Sequence, residues 1–259
     1  MHQQHASAKN LKKTNRVRHA FLSRAGGISK GIYAGLNCGP GSDDISAHVA
    51  ENRSRATRLI GASSDQLRTL YQVHSATVID AETIDQDNPP RADALVCSRP
   101  DLVIGVLAAD CAPVLFAEPG SGIVAAAHAG WRGSLNGVIE ATVDAMVERG
   151  ADRSNIAAAI GPCIGPQSYE VGSEFSAPFE AQDPSNVRFF AERSGSDRLL
   201  FDLPNYVASR LVCAGIISHA ATGQDTYGDE NFFSYRRSCH RNEADYGRNL
   251  SLIKLNTAA

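Results

Sequence analysis

Two kinds of apolar spacing alternate along this chain of 259 residues. Residues 102–108, 122–127 and 156–160 are almost continuously apolar and have the length of strands buried on both faces. Residues 70–73 and 77–79 alternate more moderately and read as shorter strands. Between the second and third apolar runs, Leu135, Val138, Ile139, Thr142, Val143 and Met146 recur at helical spacing. They predict a helix over 134–149, with Ser134 as its N-cap and Gly150 as its stop. Val49, Ala50, Ala56, Leu59 and Ile60 predict a second helix over 45–60, and a third spans about 204–214. Residues 39–44, 85–91 and 182–185 read as loops, and the polar stretch 191–198 as a connection between elements.

Strand, helix and strand in this order predict an α/β protein of the α+β type: a layered sandwich with a mixed sheet and covering helices. No repeat, low-complexity tract or long linker divides it. Residues 1–18 are expected to form a flexible N-terminal tail and 19–259 a single catalytic domain.

Charge narrows the function. A net charge of -3 and a pI near 6.2 do not suit a nucleic-acid binder, which needs a basic face. A local basic site for phosphate remains compatible. No apolar stretch reaches the roughly 20 residues that span a bilayer. The stretch from Met1 to Asn15 lacks the apolar core of a secretory signal, so the expected location is the cytoplasm, with no membrane partner. The six cysteines are scattered and form no CxxC pair. Reduced thiols are therefore expected, and zinc ribbons and thioredoxin-type sites are excluded.

The polar residues fall where the apolar runs end. One run leads into Asp110-Cys111-Ala112-Pro113 and another into His128-Ala129-Gly130-Trp131-Arg132-Gly133. His74 closes the stretch Tyr71-Gln72-Val73. In open α/β sheets ligand sites collect at such strand ends. One thiolate and two imidazoles suit zinc, and three protein ligands leave a fourth tetrahedral position for water, the pattern of a catalytic ion. Each residue alone has an ordinary alternative: a Cys after a buried strand is commonly packing, and a lone His commonly a core or surface residue.

Three glycine-containing segments suggest anion contacts. The 130–133 turn precedes the predicted helix, and Arg132 could grip phosphate or carboxylate; equally, it could be a turn with Trp131 packed on the core. Ser23-Arg24-Ala25-Gly26-Gly27 resembles an anion loop with Arg24 as phosphate ligand, or a plain turn. Ile160-Gly161-Pro162-Cys163-Ile164-Gly165 follows a buried run. Phe232-Phe233-Ser234-Tyr235-Arg236-Arg237 offers aromatic faces for a purine and arginines for phosphate, against a reading as core with a solvated Arg pair.

Taken in order, Gln72-Val73-His74, Ala92-Asp93-Ala94, Asp110-Cys111-Ala112-Pro113, the 128–133 segment, the 160–164 segment and Phe232-Phe233-Ser234-Tyr235-Arg236 resemble the YfiH family, also called the polyphenol oxidase or laccase-domain family. Ser23–Gly27 and Leu36-Asn37 fit as well, and the resemblance runs from about Phe21 to Ile253. It implies zinc at His74, Cys111 and His128, with copper possible in vitro. It implies a purine nucleoside phosphorylase acting on adenosine, inosine, guanosine and methylthioadenosine, with adenosine deaminase activity. Cys111, His128, Arg24 and Asp110 would be catalytic, with Asp93 or Asp110 moving protons. Asn37, Gln72, Arg132, Tyr235 and Arg236 would bind substrate. The expected partners are a nucleoside and phosphate, in a monomer or homodimer. Residues 238–244 look like an insertion, so no role is assigned to Arg248.

Three other functions compete. In a cysteine hydrolase or amidase editing peptidoglycan precursors, Cys111 would be nucleophile and His128 its base. A copper polyphenol oxidase needs several His clusters, and the sequence holds no HxH pair. A zinc-stabilised binding protein would not need the open coordination position.

Overall fold

Leu95 and Cys97 face one side of their strand, Ala94 and Val96 the other, and this alternation separates two hydrophobic cores. The computed structural model describes residues 5–12, 16–193 and 195–256. In chain order its strands are β1 (His5–Ala6), β2 (Val17–Leu22), β3 (Leu67–Arg68), β4 (Val78–Asp80), β5 (Ala94–Cys97), β6 (Val103–Ala108) and β7 (Ala112–Glu118). There follow β8 (Ile123–Ala129), β9 (Ala157–Ile160), β10 (Glu170–Val171), β11 (Phe190–Glu192), β12 (Leu199–Phe201), β13 (Ser218–Ala221) and β14 (Asn249–Leu255). The helices are α1 (Ser46–Arg58), α2 (Trp131–Leu135), α3 (Val138–Glu148), α4 (Ala177–Gln182), α5 (Leu203–Cys213) and α6 (Tyr235–His240).

A five-stranded sheet runs β1-β2-β14-β6-β3, and a six-stranded sheet runs β13-β9-β7-β8-β5-β4. Their inner faces share one core, in which Phe21, Ile104, Val106 and Ile253 of the first sheet meet Leu95, Leu115, Val124 and Ala126 of the second. On the outer face of the five-stranded sheet, Val103, Leu250 and Leu252 pack with Ala56 of α1 and Ile60 just beyond it. On the outer face of the six-stranded sheet, Val114, Phe116, Ala125 and Ala127 pack with Val143 and Met146 of α3 and Val207 and Leu211 of α5. The order of layers is therefore helix, sheet, sheet, helix, a mixed α/β sandwich. A small three-stranded sheet, β10-β12-β11, completes the fold.

Several sequence expectations change. The helix expected over 134–149 is two helices, because Gly137 adopts φ 90 and breaks the run between α2 and α3. Ser134 is consequently no N-cap: it lies inside α2, donating its N–H to the Gly130 carbonyl at 2.8 Å. Residues 70–73 are not a strand; β3 ends at Arg68, and Tyr71 makes a single bridge to Arg91. Strand β7, over Ala112–Glu118, has no counterpart among the expected strands, since Pro113 near its start hides the strand pattern. The expected tail is partly built in: β1 pairs with β2, which starts at Val17, and Ala8 and Leu11 are buried. Residues 1–4 and 13–15 of that stretch lie outside the described residues.

Candidate metal centre

The chain crosses from the five-stranded to the six-stranded sheet twice near one point: between β3 and β4, and between β6 and β7. His74 sits on the first crossing and Cys111 on the second. Both crossings are tight. His74 has φ 62 and Asp110, beside Cys111, has φ 87. Non-glycine residues at positive φ cost energy and persist where the surroundings fix them, commonly at functional sites. His128 is different, because it lies within β8, opposite Pro113 of β7, and is held by the ladder.

The three side chains converge. Their candidate ligand atoms all lie within 4.8 Å of one another, and Cys111 Sγ stands 3.8 Å from His74 Nε2. The two imidazole rings meet edge to face at 4.9 Å between centroids. His128 Nδ1 lies 2.9 Å from Asp93 Oδ1, a contact that makes Nδ1 the donor and leaves Nε2 to face the other two ligands. Asp93 is fully buried and also accepts the backbone N–H groups of Val73, His74 and Ser75 and the Ser75 hydroxyl. One carboxylate thus positions both histidines.

Gly130 completes the cradle. A Cβ there would stand 2.8 Å from Cys111 Sγ and 2.9 Å from His74 Cδ2, so the ligands occupy space that any other residue would fill. A His2Cys donor set of this span fits a tetrahedral divalent ion with one open position, and its donors are of the kinds that zinc accepts. Electrostatics agree. Burial pushes the Cys111 thiol up, but His128 and His74 outweigh it and bring it down to about 6. Burial likewise opposes charge on His128, yet Cys111 and Asp93 raise it to about 9. Asp93 resists its burial through His128 and Ser75 and falls to about 2. The pocket therefore favours the thiolate, the form of cysteine that binds metal.

The site opens into a cavity of about 670 Å³. Trp131 walls one side, its ring 4.7 Å from Phe175 and Arg132 stacked 4.8 Å from it. Tyr235 and Tyr246, 5.0 Å apart, and Tyr71 present aromatic faces, and Arg248 stacks 4.5 Å from Tyr246.

Of the residues expected from sequence, His74, Cys111, His128, Gln72, Arg132 and Tyr235 all line this cavity. Gln72 also mimics a strand partner: its Nε2 donates to the Leu107 carbonyl at 2.7 Å and its Oε1 accepts the Leu107 N–H at 2.8 Å. Asn37, Asp110 and Arg236 do not line it but support its walls. Asn37 is fully buried and accepts the N–H groups of Gly39 and Arg248. Asp110 accepts the Arg236 N–H at 2.6 Å and the Thr226 hydroxyl at 2.7 Å, while burial pushes its carboxyl up. The Arg236 guanidinium donates to the Glu170 carbonyl. Arg24 lines a second cavity, on the far side of Tyr246. Neither Asp93 nor Asp110 lines the cavity itself: Asp93 reaches it through His128, and Asp110 contacts the Arg236 backbone and Thr226. Sequence reasoning assigned no role to Tyr71, Tyr246 or Arg248; the Tyr246-Gly247-Arg248 run was visible, but not that β14 carries it to the cavity mouth.

Residues 18–256 match the model of the multi-copper polyphenol oxidoreductase laccase family. The chain belongs to this family. Among its relatives is a Deinococcus radiodurans protein named purine nucleoside phosphorylase, 39% identical over 221 residues, spanning 85% of this chain and 84% of the relative. The purine nucleoside phosphorylase YfiH of Escherichia coli is 38% identical over 216 residues, spanning 83% and 86%. The crystal structure of a Neisseria meningitidis protein, NMB0706, superposes with a TM-score of 0.88 at 32% identity, covering 98% of this chain and all (100%) of that one. That of the Bacillus licheniformis protein YfiH gives 0.84 at 26% identity, covering 93% of each. The mixed α/β sandwich is thus a fold this laccase-like family shares. Among the described residues, His74, Cys111 and His128 are the group of three that could hold a metal ion, and no described helix is long and apolar enough to cross a membrane.

Proposed function

We propose that this protein is a zinc-dependent purine nucleoside phosphorylase, a single catalytic domain of the cytoplasm, acting as a monomer or homodimer on adenosine, inosine, guanosine and methylthioadenosine. The observation that carries the reading is one cavity lined at once by the His74–Cys111–His128 group, by three tyrosines, and by Arg132 and Arg248. The names of its relatives point the same way.

The tyrosine faces suit a purine, which stacks on aromatic rings. Arg132 and Arg248 suit phosphate, which a guanidinium fork can grip with two hydrogen bonds. Phosphorolysis forms a bond from a phosphate oxygen to C1′ while the bond from C1′ to the purine nitrogen breaks. Positioning and charge stabilisation do most of that work. Asp93 keeps His128 in one tautomer, Gly130 keeps the ligand space clear, and Trp131, packed on Phe175, walls one side. When bound, zinc supplies a Lewis acid at the floor of the cavity.

The reading is tested by incubating the zinc-loaded protein with inosine. Hypoxanthine and ribose 1-phosphate released only when phosphate is present support it; no released base from any of the four nucleosides sinks it. Adenosine without phosphate tests the deaminase activity separately, through inosine formation.

A second reading has its own observation. Cys111, His128 and Asp93 stand in the order of nucleophile, base and orienting carboxylate. A cysteine hydrolase or amidase would gain activity when zinc is removed, and iodoacetamide would then label Cys111 and stop it. A copper polyphenol oxidase needs more ligand clusters than the His2Cys group offers, so this reading ranks below both.

A further inference from the structure

The second cavity, of about 250 Å³, is lined by Arg24, Arg237 and Arg241, with Glu230 and Glu243 on its walls. Three arginines against two glutamates leave an excess of positive charge. Glu230 is taken up by an ion pair with Arg241. Arg24 and Arg237 stand apart from this: among the described residues neither has a carboxylate within ion-pair reach. Arg237 is buried, and its guanidinium donates to the carbonyls of Thr226, Tyr227 and Phe232. Those bonds satisfy its N–H groups but leave its charge uncancelled. Arg24 anchors its Nε to the Ala34 carbonyl at 2.9 Å and stacks 4.6 Å from the Phe233 ring. Its two terminal nitrogens bond no other described residue. Burial, and then the charge of Arg237, hold the Arg24 guanidinium below its usual range against the weaker pull of Glu230 and Glu243.

Two neighbouring cations, partly desolvated and without an ion pair, are costly to assemble. An anion between them removes that cost, and the unpaired fork of Arg24 matches an oxyanion. We propose that this cavity is a binding site for a small phosphate group, gripped by the Arg24 fork over the charge of Arg237 and separated from the metal centre by Tyr246. The site does not rest on the reading of the metal cavity, whose phosphate would be held by Arg132 and Arg248.

The experiment is calorimetric titration of inorganic phosphate into the metal-loaded Arg132→Gln/Arg248→Gln protein, with and without Arg24→Gln. Removing the metal-cavity arginines first keeps the two sites distinct. The expected result is one phosphate per chain, with affinity lowered about tenfold or more by Arg24→Gln, and less by Arg24→Lys, which keeps charge without the fork. Methyl phosphate in place of inorganic phosphate separates a phosphomonoester ligand from the free ion; tighter binding of either supports the site and names its source. Absence of binding by both in the millimolar range overturns the proposal, as does an affinity indifferent to Arg24. Should Arg24→Gln fail to fold, Arg24→Lys and the more exposed Arg241→Gln carry the same comparison, with circular dichroism verifying the fold. Phosphorolysis is not read at any point, so loss of that activity and loss of this site are told apart.

Discussion

Asp93 Oδ1 lies 2.9 Å from His128 Nδ1 and 2.9 Å from the backbone nitrogen of His74. A single buried carboxylate therefore orients one metal ligand by its ring and another by its main chain. Replacing Asp93 with Asn keeps the volume but removes the charge and half the acceptor capacity. We expect zinc affinity to fall about 10- to 100-fold, the usual cost of losing a group that orients a ligand. Competition with a chromophoric chelator measures it, and an unchanged dissociation constant would show that Asp93 is only a fold element.

Gly130 tests the cradle from the other side. An added methyl group would meet Cys111 Sγ and His74 Cδ2 at 2.8 and 2.9 Å, closer than Cβ contacts are found. Overpacking of this kind costs about 1–3 kcal/mol. The strain falls on the ligands, since His74 lies on a loop that can shift more easily than β8. Gly130→Ala should therefore weaken zinc binding more than it lowers the melting temperature of the metal-free protein. Equal zinc affinity in both proteins would remove Gly130 from the account.

Metal and stability are linked through Cys111. Zinc that binds the folded chain and not the unfolded one stabilises by about 2.7 kcal/mol at a hundredfold excess over its dissociation constant. A clear rise in Tm on adding zinc is expected for the natural chain and none for Cys111→Ser, which loses the thiolate. If the serine variant gains as much, the ion is bound elsewhere.

Arg248 is the residue that the geometry adds to the proposed phosphate contacts, since it lines the same cavity. Its stem packs against Gly39, and its guanidinium stacks 4.5 Å from Tyr246 at the cavity wall. Loss of one charge-assisted phosphate contact is worth about 1.5–3 kcal/mol. Arg248→Gln should accordingly raise the KM for phosphate by about tenfold or more, with a smaller effect on that for the nucleoside. A change confined to the nucleoside would place Arg248 on the purine instead.

How much of this was legible in the sequence depends on whether a pattern was local. The buried runs that became β6, β8 and β9 stand out because strands covered on both faces are continuously apolar. Cys111 and His128 are visible as polar residues at or near the ends of such runs, whereas His74 follows the alternating 70–73 stretch, which forms no strand. What joins them is the pair of crossings between sheets, and nothing near His74 in the sequence says that its chain is moving from one sheet to the other. The break in the helix after Leu135 was foreseeable at Gly137, yet the apolar spacing runs through it, because α2 and α3 bury the same side. Asp110 and Arg236 carry charges that read as chemistry, and in the fold both make hydrogen bonds that hold the scaffold, which their sequence positions do not reveal. Arg24 reads as an anion ligand from its glycine-rich loop, but loop sequence alone does not fix which cavity it enters, and the fold turns it to the second one.

The N-terminal strap gives a prediction in pH. His19 of β2 is buried, and its Nε2 accepts the N–H of Ala8 at 2.9 Å, an arrangement that requires the neutral ring. Burial, with Lys12 and His5 adding to it, lowers its pKa from 6.5 to about 4. Between those values the unfolded chain binds a proton that the folded chain does not. Stability must then fall as pH drops from about 6.5 to about 4 and change no further through this group below that. The shift corresponds to at most about 3 kcal/mol. Denaturant midpoints at pH 7, 5 and 4 measure it against His19→Gln, which keeps an acceptor for Ala8 but cannot titrate. The variant should lose less stability than the natural chain across this window. Parallel losses in the two proteins would mean that His19 charges without unseating the strap, and that acid sensitivity arises elsewhere.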